Sequence, residues 1–375
     1  MSKPTFIELP VELVEEICIL LAGHDRQTSI LNLIRTCRAL RNVVTRFLYY
    51  DIDTSEWPGE RMILFMATTG TRRSFIRRLQ FKMARDGPVG ESSMFRRPWL
   101  DQFLRAADNL QVLHYYMESY QPSLWWPRPV SMKALRHIIL ENLHLGYAST
   151  LNMIREAPKL EVLTIRNCWF NHKITSLALL ANLKRLELID IDARWLGSPP
   201  LEKLLRRCPR LESFALTTLR ERIPIISSSI TETDISTILS PYRNTLRHLE
   251  ISWQCWSSGT ISSLKDFTCL ETIMLGGYDL LLGHPSMTIN NWLPPAVKSF
   301  TIDSPGANLL PFMRRLGEAK QLGQFPNLGS FTQASFNSVN HYEAAEVERL
   351  SKEYDMKFRV EHENVFRNVR YRTVR

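Results

Sequence analysis

Apolar positions in the first fifty residues recur three and four apart. They are Leu9, Leu13, Ile17, Leu20 and Leu21, then Ile30, Leu31, Leu33 and Ile34, then Leu40, Val43, Val44, Phe47 and Leu48. This is helical spacing, and it predicts three short helices with a polar break at 23–29. Pro10 suits the first turn of the first helix, where an amide hydrogen would have no intrahelical partner. Three helices in about forty residues cannot bury this much apolar surface among themselves. Something outside them must cover it.

From the middle of the chain a different period takes over. Leu135-Arg-His-Ile138-Ile-Leu140-Glu-Asn-Leu143 returns as Leu160-Glu-Val-Leu163-Thr-Ile165-Arg-Asn-Cys168 and as Leu183-Lys-Arg-Leu186-Glu-Leu188-Ile-Asp-Ile191. Two more copies are Leu211-Glu-Ser-Phe214-Ala-Leu216-Thr-Thr-Leu219 and Leu246-Arg-His-Leu249-Glu-Ile251. Looser copies start at Leu110, Leu270 and Val297, with end strands expected at 79–81 and 356–360. Successive starts lie 25, 25, 23, 28, 35, 24 and 27 residues apart. The spacing is similar to that of leucine-rich repeats, about 20 to 29 residues, in which each unit buries its leucines against the next.

Helices are expected between strands at 151–156, at 201–207 after Ser198-Pro199, and from Thr231 to before Pro241, where Asp234 completes a capping-box arrangement. A charged terminal helix is expected at 343–353. The template decays after Pro294-Pro295. Polar stretches at 86–98, 125–129 and 220–229 read as loops. The resulting fold class is α/β, an irregular leucine-rich-repeat solenoid: a curved parallel sheet with helices and loops on its convex side. A doubly wound α/β sheet is the alternative, but it has no reason to keep Leu-x-x-Leu-x-Leu spacing over so many strands.

The N-terminal pattern carries a resemblance. Leu9-Pro10-x-x-Leu13-x-x-x-Ile17-x-x-Leu20-Leu21, followed by Leu31-x-Leu33-x-Arg35-x-Cys37-x-x-Leu40-Arg41, resembles the F-box, and Thr36-Cys37-Arg38-Ala-Leu40-Arg41 is similar to fungal members. The resemblance implies a three-helix F-box over 1–50, a linker or N-terminal cap over 51–78 and the repeat domain over 79–375. It implies docking on a Skp-type adaptor of a cullin-RING ubiquitin ligase, the SCF type, through Leu9, Pro10, Leu13, Ile17 and Leu31. Cys37, Leu40 and Val44 would then lie in or beside the helical core. The chain departs from the family at 23–28, which is poor in apolar residues, and at Ser29, where Leu is usual. The alternative is an amphipathic helical cap on a non-catalytic repeat scaffold that has no link to ubiquitination.

In the repeat template the residues between the leucines point away from the core. His114, Tyr116, Glu141, Arg166, Glu187, Ile189, His248 and Glu250, with Ile139, Thr164 and Ser252, form a mixed row suited to an unknown protein target. His137 and His248 share a slot in their repeats and read as surface polar residues. Trp125, Trp126, Trp169, Trp195, Trp253 and Trp256 are further contact candidates near strand ends.

Composition narrows the function. The chain has 375 residues and a net charge of +9. Ten Arg or Lys between Arg61 and Arg105 face Asp86, Glu91 and Asp101, and a second basic excess runs over 357–375. Such patches attract acidic surfaces, but no module of stacking aromatics points to nucleic acid. No run approaches the roughly 18 apolar residues of a membrane helix, and Glu12, Glu15 and Glu16 do not suit a secretory signal. Cys18, Cys37, Cys168, Cys208, Cys255 and Cys269 lie far apart, with no zinc spacing. No phosphate loop, His-Glu-x-x-His or Gly-x-Ser-x-Gly motif occurs, and Gly276-Gly277 reads as a turn. The expectation is a cytoplasmic or nuclear receptor subunit without cofactor, metal or catalytic site, acting by bringing a target near the ligase.

Overall fold

A computed structural model of the chain describes residues 10–20, 26–36, 38–54, 70–83, 104–105, 107–117, 132–143, 145, 154–168, 179–191, 199–218, 235–252, 263–276, 289–303, 310–334 and 341–361. They fall into two compact units, Met1–Leu160 and Glu161–Arg375. The expected loops at 86–98, 125–129 and 220–229, the six candidate tryptophans, Arg61, Arg85, Arg96 and Arg97 of the first basic patch and most of the second lie outside the described residues.

In the first unit, helices form where the apolar period puts them: α1 (Val11–Leu20), α2 (Arg26–Thr36) and α3 (Arg38–Leu48). Pro10 opens α1 by accepting from the N–H groups of Leu13 (3.1 Å) and Val14 (3.2 Å), at no loss since proline has no amide hydrogen of its own. Val14, Cys18, Ile30, Val44 and Phe47 make the helical core, with Leu33, Ile34, Val43, Leu48 and Tyr50 packed around it. Val44 thus lies where the resemblance puts it; Cys37 lies outside the described residues, as does the side chain of Leu40. The polar break is shorter than 23–29, because α2 already begins at Arg26.

Four parallel strands follow in chain order: β1 (Asp51–Asp53), β2 (Arg78–Met83), β3 (Val112–Met117) and β4 (His137–Glu141). A short 3-10 helix, Gly70–Phe75, precedes β2. Among the described residues the sheet therefore starts at Asp51, within the stretch 51–78 expected as a linker or N-terminal cap. The N–H groups of Arg77 and Arg78 both donate to the Tyr50 carbonyl at 3.0 Å. Arg72 donates to the Tyr49 hydroxyl (2.8 Å) and lies 5.5 Å over its ring. These bonds tie the helices to the sheet.

The second unit runs β5 (Val162–Arg166), β6 (Arg185–Ile191), α4 (Pro199–Leu205), β7 (Ser213–Thr218), α5 (Ile235–Leu239), β8 (His248–Ser252), β9 (Thr272–Gly276), α6 (Ile289–Trp292), β10 (Ser299–Asp303), α7 (Leu310–Gln321), β11 (Ser330–Ala334), α8 (His341–Glu353) and β12 (Lys357–Glu361). Each strand pairs in parallel with the next in sequence. Within neither unit does strand order reverse, as it would in a doubly wound sheet. Three elements, α6, α7 and β11, go beyond the sequence expectation.

The template leucines have two roles. Those within strands are buried, as Leu163, Leu186, Leu188, Leu249 and Ile251 are. The leucine that starts a copy is also buried, and in several copies it closes a tight turn as well: the N–H groups of Leu160, Leu183, Leu270 and Leu328 donate three residues back, to Ala157, Leu180, Phe267 and Phe325, which are themselves buried. The residue after that leucine links the strands. Lys184 donates to the carbonyl of Glu161, Glu212 to Lys184, Arg247 to Glu212, Glu271 to Arg247 and Lys298 to Glu271, at 2.7 to 2.9 Å. From Glu161 to Lys298 these residues alternate in charge. Towards Lys298, the Lys298 side chain (2.9 Å) and, more weakly, that of Arg247 (3.3 Å) grip Glu271 and hold its carboxyl below the usual range. Opposite charges on adjacent strands favour this register over a slipped one.

Candidate functional site

Two surfaces bear on function. The first is on α1, which has two apolar stripes. Val14 and Cys18 face the core. Leu13, Ile17 and Leu20, spaced four and three apart and so on one face, do not: Leu13 is 44% exposed, Leu20 78%, and Ile17 is only partly covered. Pro10 and Val11 are exposed beside them, and Leu31 on α2 is 38% exposed. Of the five residues assigned to the adaptor, Leu9 lies outside the described residues and the other four keep apolar surface open to solvent. Leu20 joins them and extends the period already visible from Leu13; Val11, three residues before Val14, is exposed at the start of the other stripe. An ion pair between Arg46 and Glu15 holds α1 against α3 on the opposite side.

The second surface is the sheet face away from the core. In the first unit it carries His114, Tyr116 and Glu141. Diagonal pairing across β3 and β4 puts His114 Nε2 3.0 Å from Glu141 Oε2, while Nδ1 lies 3.2 Å from Gln80 Oε1 on β2. Three strands are thus joined through one imidazole. His137, expected at the surface, is buried.

In the second unit the expected row is less open than its period implies. Glu187 is buried: it accepts from Thr164 Oγ1 (2.8 Å) and Arg185 Nε (2.6 Å). Thr164 and Ser252 are buried too. Ile189 is only 4% exposed, because Asp190, at φ 54°, breaks the strand's alternation where the β6 to β7 register shifts. The Asp190 N–H is taken by Thr217 Oγ1 (2.9 Å). Arg166 is half-buried and His248 is exposed.

The register Glu187, Ala215, Glu250 places two carboxylates on either side of a methyl group. Burial, with the nearby Glu187 charge adding and Arg185 opposing, pushes the Glu250 carboxyl up to about 7. Folded protein therefore holds a proton there that unfolded chain releases near 4.5. The associated stability is present below about pH 4.5 and is lost as pH rises through 7. Glu250→Gln is expected to be more stable than the parent by about 1 to 2 kcal/mol at pH 8, a value reduced for partial exposure, and to show little gain at pH 4.5. Urea denaturation at the two pH values measures this, and a gain of equal size at both would contradict the coupling.

Among the described residues no group of three or more His, Cys, Asp or Glu is arranged to hold a metal, and no helix is long and apolar enough to cross a membrane. Cys18, Cys168 and Cys208 are buried, and burial raises the Cys208 thiol to about 12, far from a reactive thiolate. No protein-family model matches the chain, and no curated protein matches its sequence.

Proposed function

We propose that the chain is the substrate-recognition subunit of an SCF-type ubiquitin ligase. Its N-terminal helices act as an F-box that binds a Skp-type adaptor, and its strands form a leucine-rich-repeat solenoid that binds the target. The observation that carries this reading is the second stripe of α1. The helical core is already closed by Val14, Cys18, Ile30, Val44 and Phe47, yet Leu13 and Leu20 remain exposed, and Ile17 half-covered, beside Pro10. A helix needs only one apolar face to join its own fold; a second, uncovered one suits a partner. The repeats have no catalytic part in this reading, and they act by holding a target close to the conjugating enzyme.

A second reading rests on the bonds from Arg77 and Arg78 to Tyr50, which make α1 to α3 an N-terminal cap of the repeats. Co-expression with a Skp-type adaptor separates the two. The receptor reading expects a complex that survives gel filtration, weakened at least about 100-fold by Leu13→Asp with Leu31→Asp, since hot-spot truncations cost about 2 kcal/mol or more each. Both positions are exposed, so the variant is expected to retain the parent circular dichroism. No complex, or one indifferent to the double substitution, leaves the cap reading.

A further inference from the structure

A groove of about 730 Å³ runs along the second unit where the chain enters four successive strands, β8 to β11. Its volume lies within the range of ligand sites, about 300 to 1,000 Å³. Its floor is apolar, from buried Leu293 and Phe325. Its walls are polar. Arg243 and Asn244 come from the turn before β8, and Lys265, Asp266 and Thr268 from the turn before β9. Gln324 comes from the turn before β11, set there by Gly323, whose φ of 77° closes α7 with a bond from Gln324 N–H to the Ala319 carbonyl.

Three features define what fits. The two cations outnumber the one anion. Asp266 is drawn to Arg243 at 3.8 Å, while the Lys265 ammonium has no acidic partner among the described residues. Gln324 Oε1 is buried without a hydrogen bond, so turning it towards a ligand N–H breaks no existing bond. Across four parallel strands, three spacings of about 4.8 Å give a groove about 14 Å long, or four to five residues of extended chain at about 3.3 Å each.

We propose that this groove binds an extended, acidic peptide segment of a partner protein. Carboxylates of the segment meet Lys265 and Arg243, a main-chain N–H meets Gln324, and apolar side chains rest on Leu293 and Phe325. As a target-binding site it rests on the receptor reading. Peptide binding is measured without adaptor, however, so a missing adaptor complex and a missing peptide complex are separate results.

The test is fluorescence anisotropy of the full chain with fluorescein-labelled Ala-Glu-Ala-Glu-Ala-Glu, and with the same peptide carrying Gln or Lys in place of Glu. The Glu peptide is expected to bind at least about tenfold tighter than the Gln peptide, with the Lys peptide weakest, as charge complementarity dictates. Arg243→Glu with Lys265→Glu should lower affinity at least about tenfold; Lys357→Glu with Arg359→Glu, on β12 outside the groove, reverses as many charges and should change it less than about twofold. Thr268→Trp, which fills the groove without altering charge, should also abolish binding and serves if the first variant fails to fold. Absence of saturable binding, equal binding of the three peptides, or equal loss in the two charge variants would overturn the proposal. An oligothymidylate of matching charge that binds as tightly as the Glu peptide would overturn it in favour of a nucleic acid.

Discussion

Phe331→Ala is expected to lower unfolding free energy by about 3 to 5 kcal/mol, the range for deleting a buried phenyl ring. Phe331 has no exposed surface and stands in register with Phe300 on β10 and Phe358 on β12. Its ring lies 5.6 Å from that of Phe300, 5.9 Å from Phe358 and 5.7 Å from Phe312 on α7, inside the distance at which aromatic pairs attract. Truncation removes three ring contacts as well as buried area, so the upper half of the range applies. Stacked repeats contact only their neighbours. The loss should therefore be uneven: hydrogen exchange should show β12 amides losing protection well before those of β6. A loss below about 1 kcal/mol, or uniform deprotection, would mean that the ring is not integral to the stack.

Gly317 gives the second large effect, and its sign follows from magnitudes. Gly in a helix interior is about 1 kcal/mol worse than Ala, so on propensity alone Gly317→Ala in α7 should stabilise. A Cβ at 317, however, would run into the ring of Tyr354, which is buried at the end of α8. Overpacking costs about 1 to 3 kcal/mol and an aromatic ring cannot bend aside, so the clash wins. Gly317→Ala should destabilise by about 1 kcal/mol and Gly317→Leu by about 3 kcal/mol. Combining Gly317→Ala with Tyr354→Ala should cost less than the sum of the two, since each change relieves the other. Additive losses, measured by denaturant titration, would place the strain elsewhere.

Much of this fold was legible because a repeat writes the same physical requirement many times. Leu-x-x-Leu-x-Leu marks a tight turn followed by two buried strand positions, and strands formed at each copy from Leu110 to Val297. β11 escaped because Leu328-Gly-Ser-Phe331-Thr-Gln333 follows the prolines at 294–295 and has glutamine at the third apolar position of the template; phenylalanine at the second position already occurs in the copy at Leu211. In α7, Leu310, Met313, Leu316 and Ala319 keep a three-residue period that a polar composition obscured. The outward row was harder. Alternation puts Glu187 and Ile189 on the open face, but burial there depends on neighbours on other strands. Thr164 lies across from Glu187, and Asp190 takes a left-handed conformation that only Asn, Asp or Gly adopts readily. The stripe on α1 was readable as surplus hydrophobicity, since the helical set held more apolar positions than three helices can enclose.

The alternating edge from Glu161 to Lys298 imposes a rule of parity on the chain. Splicing the repeat that begins at Leu160 onto the one that begins at Leu211 would set Glu161 beside Glu212, like charge against like. Splicing it instead onto the one that begins at Leu246 would set Glu161 beside Arg247 and restore the sequence of signs. Along this edge the module that can be removed, duplicated or exchanged without electrostatic mismatch is therefore two repeats long, even though the structural period is one.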